Sequence, residues 1–276
     1  MQLFRFVLRA LARALTLLSV LSVCACATRA DPRADEALGS TPWVLQSGVV
    51  DKETEGAASA SATSVLPGTV LSHWTHYRLL GKKPTVFQYE RVEGRDTLAV
   101  EAISSASMVR RKVRVAPQDL GQVRFSWNVP ELIATADMGQ RDFDDSAVRV
   151  VFAFDGDRST FSGKNAMLNE LTLALTGEEM PYAVLMYVWS KQRAVGEVIH
   201  SPRTDRIRKL VVESGGQNLN QWQDYERNIA ADFFKLYGEL PGALIGMGLM
   251  TDTDNTHTTA HAWYGPLQVL PPKLVP

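Results

Sequence analysis

Cysteine is almost missing from this 276-residue chain, and the two that occur, Cys24 and Cys26, both fall within its first 27 residues. Everything beyond them lacks a thiol. That excludes an internal disulfide, a zinc–thiolate site and a cysteine nucleophile. A surplus of charge is missing too. The chain carries 29 Lys and Arg against 30 Asp and Glu, with no basic excess of the kind that nucleic acid requires, so no nucleic-acid partner is expected. Gly-x-Ser-x-Gly, the phosphate-cradling glycine loop and the dinucleotide glycine pattern are all absent. Hydrolase, kinase and dehydrogenase readings therefore have no motif behind them.

Long apolar runs are scarce, and the clearest is Ala14 to Val23, preceded by Arg5, Arg9 and Arg13. A basic start, an apolar core too short to span a bilayer and a small-residue exit read as a secretory signal over residues 1–25. Val23-Cys24-Ala25-Cys26 looks like a bacterial lipobox, and Cys26 is the expected lipidation site because small Ala25 precedes it. Acyl chains on Cys26 would hold the protein on a membrane. Ala27, in place of an aspartate, directs the expectation to the outer membrane. Ordinary cleavage after Ala27 is the alternative and gives a soluble periplasmic protein.

Without its first 25 residues the chain has a net charge of about −4. Residues 26–65 are rich in Ala, Ser, Thr, Asp and Glu, too poor in apolar surface to order themselves, and read as a tether. Globular composition runs over residues 66–270, one domain by the simplest count, followed by a tail at 271–276.

Within that domain a period of two dominates. Val123, Phe125, Trp127 and Val129 alternate with polar residues, as in a half-buried strand. Val109–Val115 puts Arg110, Lys112 and Arg114 on a wet face. Val148–Phe154 is apolar on both faces, which suits a central strand. Strands are also expected over Leu98–Ile103, Ala183–Trp189, Ile207–Val212 and Ala260–Val269. Helices are expected over Asn165–Leu175 and, from the spacing of Tyr225, Ile229, Phe233 and Leu236, over Asp224–Tyr237. The class is all-β, a β-sandwich or jelly roll with one or two accessory helices.

Several phrases together resemble a family of exported bacterial proteins called domain of unknown function 3047. They are Asp144-Asp145-Ser-Ala-Val-Arg149-Val-Val-Phe-Ala-Phe-Asp-Gly156, Met186-Tyr-Val-Trp189, Arg208-Lys-Leu-Val-Val-Glu213-Ser-Gly215, Asp224-Tyr-Glu-Arg227, Ala231-Asp232 and Thr251-Asp-Thr-Asp254-Asn255-Thr256. The resemblance implies a sandwich like those of carbohydrate-binding modules and no established activity. The chain departs from the family's pattern at His257-Thr258 and at Gly265-Pro266-Leu267.

Thr251–Thr256 is the densest polar motif. Asp252, Asp254 and Asn255 offer the hard oxygens that calcium prefers, and the same groups bind sugar hydroxyls; an Asx-rich turn is the structural alternative. No EF-hand register accompanies them. Asp145 and Arg149 fall on one strand face four residues apart and read as an ion pair or as part of a ligand site, and Glu213 joins them as a candidate. Trp263 and Tyr264 are candidates for a surface platform, whereas Trp127 and Trp189 read as core. His257 and His261 have zinc spacing on a helix, but on a strand they stand ~13 Å apart, so no metal site is expected of them.

Three functions follow from this reading. The first is a non-catalytic envelope protein whose sandwich binds a glycan or similar ligand. The second is a carbohydrate-active enzyme with two carboxylates facing one cleft, drawn from Asp145, Glu213, Asp232, Asp252 and Asp254. The third is a structural lipoprotein that docks another protein.

Overall fold

A computed structural model of the chain describes residues 45–46 and 70–272. The signal segment, Cys26 and nearly all of the tether lie outside the described residues. The strands are β1 (Leu45–Gln46), β2 (Val70–Arg78), β3 (Val86–Val92), β4 (Arg95–Ile103), β5 (Ala106–Val115), β6 (Gln122–Asn128) and β7 (Ser146–Phe154). Helix α1 (Gly163–Thr176) separates these from β8 (Ala183–Ser190), β9 (Val198–His200), β10 (Ile207–Ser214) and β11 (Gln223–Asn228). Helix α2 (Ile229–Tyr237) precedes β12 (Leu244–Asp252), β13 (Thr259–Tyr264) and β14 (Gln268–Val269).

Two sheets result, as the alternating pattern requires. The larger has the order β1-β2-β5-β12-β7-β8-β10-β9, and the smaller β11-β6-β13-β4-β3, with β14 also on β6. Most pairs are antiparallel; β8 and β10 run parallel because β9 forms the outer edge and β10 returns between them.

The shared core lies between the sheets. Val150 and Phe152 of β7, Leu185 and Tyr187 of β8 and Leu249 of β12 face Phe125 and Trp127 of β6 and Leu98 of β4. Phe125 stacks on Tyr187 across the interface with ring centroids 5.3 Å apart. Each such side chain contributes about 1.5–3 kcal/mol on burial. Strands β7 and β8 are buried on their other face as well, where Val151, Met186, Val188, Val211 and Met250 form a second apolar cluster with Met138. That is why β7 lacks the polar alternation of β6.

Two elements differ from their sequence expectation. Residues 224–228 extend β11, and α2 begins only at Ile229, where the Asn228 side chain accepts from Ala231 N–H. Tyr225 shares helical spacing with Ile229 by coincidence; in the strand its ring stacks on Phe125 at 4.9 Å. The single strand expected over Ala260–Val269 breaks at Gly265-Pro266-Leu267, so β13 and β14 pair with β6 in succession.

Helix α1 starts two residues before the expected Asn165, capped by the Ser162 side chain, and ends at left-handed Gly177 (φ +72°). Its polarity is inverted. Buried Asn165 holds Asp205 and Thr204 at 2.6 and 2.8 Å, and Asn169 accepts from Met180 N–H. Met167, Leu171 and Leu175 are exposed at 65%, 54% and 59%. By contrast α2 buries Ile229, Phe233 and Leu236. No helix among the described residues is long and apolar enough to cross a membrane.

Candidate functional site

The polar motif at the end of β12 and the acidic pair before β7 meet on the outer face of the larger sheet. Register brings them together: Asp252 pairs with Ser146, and Met250 with Arg149. Side chains at Arg149, Met250 and Lys209 therefore point away from the shared core, at one end of the second apolar cluster.

Asp145 is fully buried and is the anchor. Its Oδ1 accepts from the backbone N–H and the side-chain amide of Asn255, at 3.3 and 3.0 Å. Its Oδ2 accepts from the backbone N–H and hydroxyl of Thr256, at 2.7 and 2.6 Å. Asp252 accepts from Ser146 N–H at 3.0 Å and lies 3.0 Å from Arg149 Nη2. The same guanidinium nitrogen donates to the carbonyl and the carboxylate of Asp144, at 2.8 and 3.0 Å. Lys209 Nζ donates to Asp144 at 2.7 Å and to the Met138 carbonyl at 2.8 Å, and Lys82 pairs with Asp254.

Arg149 is thus paired with Asp144 and Asp252, and the expected Asp145–Arg149 pair is replaced. β7 begins at Ser146, so the strand alternation that placed Asp145 beside Arg149 does not reach it. Asp145 turns instead to the β12–β13 connection.

Three of the cluster's members escaped sequence reading. Strand alternation carried back from β7 puts Asp144 on the face opposite Asp145 and Arg149, while Lys209 sits beside Arg208 in β10 and Lys82 in a distant loop. Only strand pairing brings them here: Arg208 and Lys209 stand side by side ahead of Leu210–Val212, and nothing local marks Lys209 as the buried one.

Asp144, Asp252 and Asp254 are ion-paired with Arg149, Lys209 and Lys82, and Asp145 stands beside them as a fourth carboxylate held by hydrogen bonds alone. Burial pushes the Asp252 carboxyl up to about 7 against the pull of Arg149, with repulsion from Asp145 and Asp144 adding to it. Burial and the neighbouring Arg149 push Lys209 down to about 8. With one more acid than cation in the cluster, burial favours the protonated form of Asp252.

Carboxylate oxygens of Asp145, Asp252 and Asp254 lie within 4.8 Å of one another, a spacing a divalent cation can bridge. The donor set does not fit one. Asp145 accepts four hydrogen bonds, which occupies the lone pairs of both oxygens, and three cationic side chains already supply positive charge.

The remaining candidates are dispersed. Glu213 sits apart from the cluster, accepting from Tyr225 OH at 2.7 Å and from the Asn218 amide at 3.1 Å. Asp232 is held bidentately by Arg227 at 2.7 and 2.8 Å and accepts from Tyr187 OH at 2.7 Å. Tyr264 is fully buried, which corrects its expected place on a surface platform. Its hydroxyl donates to the Met250 carbonyl at 2.7 Å and accepts from Arg149 N–H at 3.1 Å, bracing the network from the core side. Strand alternation turns its neighbour the other way: Trp263 lies on the outer face of the smaller sheet, where its indole N–H donates to Glu90 at 2.9 Å.

Among solved structures, the chain is similar to the xyloglucanase domain of NopAA, a type three effector from Sinorhizobium fredii solved in complex with cellobiose. The match has 9% identity and a TM-score of 0.33, and covers 74% of this chain and 98% of that one. The likeness is too remote to transfer any residue's role. No curated protein matches the sequence. The family model described as "Protein of unknown function (DUF3047)" matches residues 72–268, and the chain belongs to that family.

Proposed function

We propose that this protein is a non-catalytic β-sandwich that binds a glycan of the bacterial cell envelope, where it is held through a lipid on Cys26. The observation that carries the non-catalytic half is the state of its acids. Glycosidic hydrolysis needs two carboxyl groups facing a substrate across a cleft. Asp252 and Asp254 are instead ion-paired with Arg149 and Lys82, Asp145 accepts from Asn255 and Thr256, Glu213 is held by a tyrosine and an amide, and Asp232 by Arg227. Each is occupied by a structural partner. Since Asp145 has no lone pair to spare, the proposed function uses no calcium.

The binding half rests on Trp263. Of the residues expected to form a ligand surface it is the aromatic on an open sheet face, with its indole N–H fixed by Glu90. An aromatic ring on a flat strand face is the surface on which a sugar ring stacks.

Retention of the purified protein on immobilised envelope polysaccharides tests this reading. It predicts retention that is weakened by Trp263→Ala, with no release of reducing ends on prolonged incubation. Sugar release would replace it with the enzyme reading. For the anchor, Cys26→Ala should move the protein from the membrane fraction to the soluble one; unchanged partition would remove it.

A further inference from the structure

The outer face of the smaller sheet carries a hollow that the sequence did not foreshadow. It opens where β13 stops and β14 begins along β6, and its volume is about 400 Å³. Small-molecule sites are typically ~300–1,000 Å³.

The break in the strand makes this hollow. Gly265 N–H donates to the Ser126 carbonyl at 2.9 Å, and a Cβ on Gly265 would stand 2.1 Å from Ser126 Oγ. The floor at Ser126 is therefore kept low by glycine. Trp263 lies two residues before Gly265 on the same outward face, ~7 Å along the strand. Around the floor stand Pro266, Gln268 and two ion pairs. Arg95 meets Asp224 with two parallel bonds of 2.6 and 3.0 Å, and Arg124 meets Glu226 at 2.7 Å.

The chemistry of this rim is specific. Each guanidinium is already neutralised by a carboxylate, so the hollow offers no surplus positive charge. An anionic ligand would face Asp224 and Glu226 without a free cation to hold it. A polyol meets a better match: its hydroxyls donate to the carboxylates and accept from the guanidinium N–H groups and the Gln268 amide. Aromatic surface lies close by. The Arg95 guanidinium sits 4.9 Å over the ring of Trp222.

A second observation falls on the same face, which holds two of the four buried side-chain atoms without hydrogen-bond partners among the described residues; the others are Trp127 Nε1 and Arg149 Nε. The Trp222 indole N–H and the side-chain oxygen of Asn128 are buried without hydrogen-bond partners, and Asn128 stands directly opposite Trp263 in the register. Buried polar atoms are paired in the great majority of cases. Here a donor and an acceptor are left over beside the rim.

We propose that this hollow is a binding site for an electrically neutral sugar unit, with Asp224, Arg95 and Gln268 as its hydrogen-bonding groups and Trp263 as the platform for the next unit of the chain. Because it places a sugar, the assignment rests on the glycan-binding reading of the protein. Uronic-acid and phosphorylated sugars are excluded by the paired rim.

Calorimetric titration of the purified protein with neutral hexasaccharides of glucose, xylose and N-acetylglucosamine, and with a galacturonate hexasaccharide, tests it. The expected result is binding to at least one neutral member and none to the galacturonate. Asp224→Ala and Gln268→Ala should each weaken that binding about tenfold, as loss of a strong hydrogen bond does, while Leu171→Gln on α1 leaves it unchanged. Asp224 and Gln268 lie on the surface, so circular dichroism of these variants should match the parent protein. Binding that ignores both substitutions yet disappears in Trp263→Ala overturns the hollow and leaves the glycan reading standing. Preference for galacturonate overturns the neutral assignment. If no saccharide in the panel binds, the glycan reading falls and this site with it.

Discussion

Asp145 and Thr256 are 111 residues apart in the chain, yet both the backbone N–H and the hydroxyl of Thr256 donate to a single carboxylate oxygen of Asp145. One buried side chain thereby fixes the turn between β12 and β13, and with it the crossing of the chain from the larger sheet to the smaller. The polar motif at 251–256 is first of all this lock.

Removing the lock should be expensive. Asp145→Ala takes the shared acceptor away from the part-buried donors of Asn255 and Thr256, and is expected to cost about 1–3 kcal/mol, the range for leaving such donors without their partner. Asp145→Asn should cost nearly as much, because its amide replaces an acceptor of two hydrogen bonds with a donor. Urea denaturation checks both: the midpoint should fall with little change in slope. A shift below about 1 kcal/mol would contradict the lock.

The same network predicts an unusual pH dependence. Asp252 titrates near 3.8 in an unfolded chain and at about 7 in the folded one, because burial opposes its charge. Between those values the folded protein holds more protons than the unfolded, so this group's contribution to stability falls as pH rises. It is complete below about 3.8 and gone above about 7. Lys209, pushed from 10.5 down to about 8, behaves oppositely: its contribution is present above 10.5 and is lost as pH falls through about 8. Together they place the network's weakest point between about pH 7 and 8. Other carboxylates, such as Asp137, which Arg193 holds down at about 2, add their own slope below pH 4, so the readout is a difference. The stability of wild type relative to Asp252→Asn should decline from pH 4 to pH 7. A flat difference would contradict the assignment.

Calcium should not matter. A cation bound at one site at 100 times its dissociation constant stabilises by about 2.7 kcal/mol. With Asp145 saturated by hydrogen bonds, melting temperatures in millimolar calcium and in EDTA are expected to coincide. A calcium-dependent rise of several degrees would reinstate the metal reading of Asp252, Asp254 and Asn255.

Helix α1 gives a test of a different kind. Its polar residues hold it to the protein and its apolar ones face outward, so the usual rule for helix substitutions reverses. Leu171→Gln and Met167→Gln should change stability by no more than about 0.5 kcal/mol. Asn165→Ala, which breaks bonds to Asp205 and Thr204, should cost about 1–3 kcal/mol. The opposite order in urea midpoints would show that the apolar stripe packs after all.

Which features the sequence disclosed depended on how local their causes are. Alternation along β6 shows directly in Val123, Phe125 and Trp127, and the end of α1 in Gly177, because neighbours in the chain decide both; its start lies two residues before the expected Asn165, behind the Ser162 cap. The orientation of α1 was not legible. An Asn facing inward is justified only by Asp205 and Thr204, some 40 residues away. Residues 224–228 were misread because four apolar positions at helical spacing also accommodate a strand followed by a helix. At the acidic cluster, Asp252, Asp254, Asn255, Asp145 and Arg149 could be named as candidates from the sequence, but neither their meeting, without Glu213, nor their internal pairing could be read there. Lys82, Asp144 and Lys209 decide that pairing, and their meeting depends on register between strands far apart in the chain. The hollow was invisible for the same reason: Arg95 and Asp224 are 129 residues apart.

The account stands on a division of labour, with the acids of the larger sheet holding the fold and the smaller sheet's outer face meeting the ligand. A crystal structure of the protein soaked with a neutral hexasaccharide tests that most directly. Sugar density is expected to run from Trp263 across Gly265 to Gln268, with Asp145, Asp252 and Asp254 untouched. Sugar seated against Asp252 or Asp254, with the Arg149 and Lys82 pairs opened to admit it, would contradict it.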